Sequence, residues 1–112
     1  MKASTIGFKP DYEEDAPSIE DVTHLKGLAV IEFGAPWCPH CQGAQAAIRE
    51  VLEPTTMLHI KVFDGKGKRL GRHFKVKLWP TVILLKDGEE AARVVRPTET
   101  HEVQELLQIA GA

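Results

Sequence analysis

The segment that most limits what this chain can become is Leu28-Ala29-Val30-Ile31-Glu32-Phe33, followed at once by Gly34-Ala35-Pro36 and Trp37-Cys38-Pro39-His40-Cys41. A run so nearly continuous in apolar residues is expected of a central strand covered on both faces. Past the turn, Gln42, Ala44, Gln45, Ala46, Ala47, Ile48, Arg49 and Glu50 are mostly good helix formers. Pro39 suits the first helical position, where its missing N–H would go unpaired anyway and its fixed φ already fits. Cys38 then stands at the N-cap and Cys41 one turn later on the same face. These are the only two cysteines among 112 residues. A thiolate at an N-cap accepts hydrogen bonds from first-turn backbone N–H groups, including that of Cys41. The helix macrodipole adds positive charge there, and His40 adds more when protonated. The pattern builds a cysteine that favours ionisation, with a second thiol within reach to resolve any disulfide it forms.

The remaining elements follow from local signals. Ile6 and Phe8 suggest a short edge strand before an acidic stretch at Asp11, Glu13, Glu14 and Asp15. Ser18 to about Leu25 predicts a short helix, with Ser18 as cap and Asp21 at the third helical position in a variant of the capping box. Pro54 ends the helix that begins at Pro39. Leu58 to Phe63 reads as a second buried strand closed by Asp64-Gly65 and Gly67, and a short helix over about Leu70 to Phe74 follows. Thr81 to Leu85 and Ala91 to Val95 are two more strands, joined by Lys86-Asp87-Gly88, whose Asp-Gly pair is antiparallel hairpin chemistry. A final helix runs from Thr98, its cap, to Ala110, with Val103, Leu106, Leu107 and Ala110 at helical spacing and Gly111 as a stop. The order β-α-β-α-β-β-α implies an α/β fold, a mixed sheet of four to five strands with helices on both faces. No repeat or linker interrupts it, and residues 1–112 read as one domain with its core over about 18–110.

Composition excludes more than it selects. With 27% charged residues and a net charge of -2, the chain carries no basic footprint for nucleic acid or anionic lipid. No apolar run is long enough to span a membrane. The first residues hold no continuous apolar signal core, so the expected location is the cytoplasm, or the periplasm for a chain whose signal has been removed.

The element order, the Trp-Cys-x-x-Cys motif after the strand Val30 to Phe33, and Trp79-Pro80-Thr81 opening the third strand together resemble the thioredoxin family. The resemblance runs from about residue 18 to 110. It implies the thioredoxin-like three-layer fold. The Pro39-His40 pair between the cysteines is what bacterial disulfide oxidants of the DsbA type carry, where ordinary thioredoxins have Gly-Pro. The compact length is that of a thioredoxin, without the inserted helical domain of DsbA.

That resemblance implies roles. Cys38 is the nucleophile that forms a mixed disulfide with a substrate, and Cys41 is the buried resolving thiol. Trp37 lines the groove beside the cysteines, or is a structural residue at the strand–helix junction. Pro80 is cis and offers backbone groups, with those of Thr81, to a bound substrate strand; as a proline opening a strand it also fits an ordinary edge. Trp79 departs from the pattern, because Ile, Thr or Val usually precedes this proline, and its ring could cover the cysteines or reshape the groove. Glu32 stands where thioredoxins place a buried Asp. There its pKa should be raised, and it could relay the Cys41 proton; alternatively its longer side chain reaches the surface. Zinc would need four ligands, and His24, His40, His59, His73 and His101 show no pair at zinc-finger spacing. The charges at Lys66, Lys68, Arg69, Arg72 and Lys75 read as a solvated face.

The expectation is a thiol-disulfide oxidoreductase exchanging disulfides with protein substrates through Cys38 and Cys41. It uses neither metal nor organic cofactor, works as a monomer, and is recycled by a reductase or oxidase. Stabilising the Cys38 thiolate stabilises the reduced form, so the Pro-His pair should make the couple more oxidising than that of a Gly-Pro thioredoxin. The competing reading is a thioredoxin-fold binding module that uses the cysteines as a switch or not at all, motivated by Trp79 and the acidic N-terminal segment. Shared zinc in an oligomer is the third.

Overall fold

The computed structural model describes residues 1–109 and 111. In chain order the elements are β1 (Ser4–Ile6), α1 (Ile19–Thr23), β2 (Leu28–Gly34), α2 (Pro39–Leu52), β3 (Leu58–Phe63), α3 (Arg69–His73), β4 (Thr81–Lys86), β5 (Glu89–Val95) and α4 (Thr100–Ile109). The five strands form one mixed sheet in the order β1-β3-β2-β4-β5. β2 lies at its centre, parallel to β3 and antiparallel to β4. This is the thioredoxin-like α/β fold that the family resemblance implies, with the apolar run at 28–33 as its central strand.

Both faces of β2 are buried, and alternation decides what each side chain meets. Ala29, Ile31 and Phe33 join Ile60, Val62, Ile83 and Leu85 under α1 and α3, whose Val22, Leu70 and Phe74 complete that layer. Val30, Val82 and Leu84 face the other way, against Ala44, Ala47, Ile48, Val51 and Leu52 of α2 and Val103, Leu106 and Leu107 of α4. Glu32 shares the α2 face with Val30.

The local signals act as expected at most ends. Ser18 and Asp21 form a reciprocal capping box at α1. β3 spans the expected residues, and the β4–β5 turn places Asp87 and Gly88 at φ 51° and 80°. Three boundaries differ. Phe8 is not in the first strand, because Gly7 at φ 89° turns the chain out of β1 after Ile6. β5 begins at Glu89, before Ala91. Thr98 does not cap α4; the Glu102 carboxylate reaches back to accept from the N–H groups of Thr98 and Glu99, each at 3.1 Å. Ala110, expected to continue that helix, lies outside the described residues.

Gly88 has no room for a side chain. Its φ is +80°, and a Cβ there would stand 2.1 Å from the backbone oxygen of Thr23. Gly88→Ala should therefore destabilise the protein by about 2 kcal/mol or more. Urea unfolding measures this, and an unchanged midpoint would contradict the close approach.

Candidate active site

α2 begins where the apolar strand ends. Cys38 is the N-cap in extended conformation (φ -75°, ψ 118°), Pro39 opens the helix, and the Cys41 N–H donates to Cys38 Sγ at 3.3 Å. Both cysteines are free thiols. Cys38 keeps an edge at the surface (8% exposed) while Cys41 is sealed (1%). Burial, together with the hydrogen bond that the Cys41 thiol makes to Cys38, pushes the Cys41 thiol up to about 11. His40 and Pro39 are exposed on the first turn.

Around Cys38 the surface is apolar. Trp37 is 60% exposed and stands edge-on to Phe63 (4.9 Å between ring centres) and to Trp79 (6.4 Å). The Trp79 indole is fixed by its N–H, which donates to Asp64 at 3.0 Å. Its carbonyl oxygen lies 4.0 Å from Cys38 Sγ and accepts from Arg96 Nε at 2.9 Å. The Trp79–Pro80 peptide is cis. Thr81 is buried, and its hydroxyl donates to the Leu78 carbonyl at 2.6 Å.

Below the cysteines lies a polar cluster that sequence reasoning reached only at Glu32. Register pairs Glu32 with Lys61 and Val30 with His59, so β3 presents its polar side chains to the same α2-covered layer. Glu32, His59 and Lys61 are all fully buried. The His59 Nδ1 accepts from the Lys9 N–H at 2.9 Å, which leaves Nε2 as the protonated nitrogen; it donates to Glu32 Oε1 at 3.0 Å. Glu32 Oε2 accepts from the Tyr12 hydroxyl and from the Gln45 amide, the latter at 3.0 Å. The Lys61 ammonium lies 4.0 Å from the same oxygen. Its three donors are used on the carbonyls of Lys9 (3.0 Å) and Pro10 (2.8 Å) and on Gln45 Oε1.

This network reverses the expectation for Glu32. Burial alone would raise its pKa, but the hydrogen bond from His59, the charge of Lys61 and the hydrogen bond from Tyr12 together outweigh it, and the carboxyl is held below its usual range. Nor does the side chain reach the surface. Lys61, in turn, is lowered by burial despite the attraction of Glu32.

Missing from the sequence reading were Tyr12, Gln45, His59 and Lys61. The alternation Leu58-His59-Ile60-Lys61-Val62 was the available signal. An acid on the neighbouring strand makes its polar side a partner face rather than a solvated one. Tyr12 lies in irregular chain and left no such pattern. Among the described residues no group of three or more His, Cys, Asp or Glu is arranged to hold a metal ion.

The thioredoxin family model matches residues 13–109. The chain belongs to the thioredoxin family. It is 28% identical over 94 residues to thioredoxin H5 of Arabidopsis thaliana, covering 83% of this chain and 80% of that protein. Protein disulfide-isomerase of Ricinus communis is 24% identical over 102 residues, 84% of this chain but 20% of that protein. Among solved structures, reduced thioredoxin 2 from Pseudomonas aeruginosa PAO1 superposes with a TM-score of 0.80 at 42% identity, over 94% of this chain and 100% of that one. The chain is thus a thioredoxin-family thiol-disulfide oxidoreductase, and the free thiol pair at the α2 N-terminus is its redox centre.

The unequal burial of the two thiols has a direct readout. At pH 8 iodoacetamide should label Cys38, which keeps an edge at the surface, and spare Cys41, which is sealed and stays protonated there. Peptide mapping that found equal labelling at pH 8 would contradict the asymmetry.

Proposed function

We propose that this protein exchanges disulfides with protein substrates by attack of Cys38, resolved by Cys41, and that its couple is more oxidising than that of a Gly-Pro thioredoxin. The observation that carries this reading is the Cys41 N–H directed at Cys38 Sγ, 3.3 Å away at the tip of α2. A donor and a helix N-terminus both favour negative charge on that sulfur, hence the reduced form of the couple. His40 adds to the field when protonated, and Pro39 fixes the first turn without competing for the thiolate.

Substrate binding falls to Trp37, Trp79 and the backbone about Pro80 and Thr81. Trp37, which precedes Cys38 in the chain, leaves large apolar surface open beside it, which suits an extended segment with an apolar residue near its own cysteine. Glu32 takes part in the route by which the Cys41 proton leaves. The chain acts as a single monomeric domain in the cytoplasm, where a reductase keeps it in the dithiol state; there it reduces labile disulfides without metal or organic cofactor.

Equilibration against glutathione tests the tuning. The midpoint should lie above about -270 mV, and His40→Pro or His40→Ala should move it to more negative values, each 30 mV corresponding to about 1.4 kcal/mol. A wild-type potential at or below about -270 mV would contradict the proposal.

A further inference from the structure

One group beneath the cysteines has no part in the mechanism so far: the phenol of Tyr12, the only tyrosine in the chain. The segment carrying it is neither helix nor strand. It is strapped along the edge of β3 by the Gly7 N–H to the Met57 carbonyl (2.9 Å), by the Lys9 N–H to His59, and by the buried Lys61 ammonium, which holds the carbonyls of Lys9 and Pro10. Beyond Tyr12, the Glu13 N–H donates to the Lys61 carbonyl at 3.2 Å and the Glu13 carbonyl accepts from Phe63 at 2.8 Å. Tyr12 is therefore held from both sides.

What it is held against is the resolving thiol. A Cβ built on Gly34 would stand 2.6 Å from the Tyr12 hydroxyl oxygen and 2.7 Å from Cys41 Sγ. The two atoms are close neighbours because they crowd the one strand position that has no side chain to separate them. Hydrogen-bond direction is fixed by chemistry: an ionised Glu32 can only accept, so the single phenol proton goes to Glu32. The Gln45 amide, 3.4 Å away, takes one lone pair of the phenol oxygen, and the other faces the neighbouring Cys41 thiol. A cavity of about 290 Å³ adjoins the pair, lined by Pro10, Asp11, Tyr12, Pro36, Cys41 and Gln42 among others, so water can stand within reach.

We infer that Tyr12 accepts the proton of Cys41 when that thiol resolves the mixed disulfide. The inference rests on the exchange chemistry proposed above. As Cys41 Sγ bonds to Cys38 Sγ, the bond from Cys38 to the substrate sulfur breaks, and that sulfur leaves with the electron pair. The protein's two thiols are thereby oxidised and the substrate disulfide is reduced. The Cys41 proton moves to the Tyr12 oxygen while the Tyr12 proton moves to Glu32 Oε2. The carboxylic acid so formed returns its proton through the same hydroxyl to cavity water, and solvent protonates the leaving thiolate. Burial holds both Cys41 and Tyr12 in their protonated forms. Coupled transfer lets the sulfur lose its proton without either group standing alone as a buried anion.

A space-filling Tyr12 would affect stability and slow both steps of exchange alike. Tyr12→Phe separates the two cases, since it keeps the ring, with Lys61 4.8 Å from its centre, and removes only the hydroxyl. Reduced protein mixed with dithiobis-nitrobenzoate in a stopped-flow cell releases one coloured thiolate when Cys38 attacks and a second when Cys41 resolves. In Tyr12→Phe the first phase should keep its rate and the second should slow by at least about tenfold, the low side of what a positioned proton-transfer group contributes. An unchanged second phase, or equal slowing of both, overturns the inference. If Tyr12→Phe does not fold, 3-fluorotyrosine at the single tyrosine serves instead: a weaker proton acceptor, it should slow the second phase alone, and no change overturns the inference. Wild-type protein lacking a second phase would remove the exchange reading itself, and this one with it.

Discussion

A carboxylate with no access to water sits under the redox centre, and the chain around it is arranged to make that tolerable. An isolated buried charge is among the most costly features a core can hold. Glu32 is accepted because a histidine, an ammonium, a phenol and an amide converge on it from three separate segments. Those same contacts organise the molecule beyond the cluster. Lys61 ties down the N-terminal strap, His59 anchors Lys9, and Gln45 links α2 both to the carboxylate and to the Cys41 carbonyl at 2.9 Å. Loss of Glu32 itself would leave the buried Lys61 ammonium without its counter-charge.

The redox centre draws its asymmetry from this arrangement and from the helix end above it. Cys38 meets solvent at the tip of α2, where an N–H is directed at its sulfur. Cys41, three residues on, is turned inward against Ala35, Gly34 and Tyr12. Two chemically identical side chains thus differ in solvation, in hydrogen bonding and in which neighbours can take a proton. Exchange needs that difference, because the thiol that meets the substrate must be reactive while the one that resolves should wait.

Sequence alone exposed the frame and half of the site. The apolar run at 28–33, Pro39 after Cys38, the Ser18–Asp21 box and the Asp87-Gly88 turn each act through a local rule, and each led to the right element. Trp37, Trp79 and Pro80 came from the family pattern and do lie beside Cys38. What stayed hidden was everything decided by pairing between distant segments. Within a strand read as buried, Lys61 and His59 acquire partners only once register sets Lys61 opposite Glu32. Tyr12 sits in an acidic stretch that pointed to a binding surface and gave no sign of a buried phenol. The expected rise in the Glu32 pKa failed for the same reason, since burial was legible from the strand but its partners were not.

The most direct test is therefore the pH dependence of unfolding free energy, wild type against Glu32→Gln. A carboxylate held below its ordinary value in the fold stabilises the protein above its unfolded pKa of about 4.3, and that contribution is lost as pH falls through the folded value. Wild type should lose stability as pH falls through the carboxylate range. Glu32→Gln should be about 3 kcal/mol less stable at neutral pH, as expected for breaking a buried pair, and should show a shallower decline in acid. Equal stabilities at pH 7 with parallel acid profiles would contradict the account.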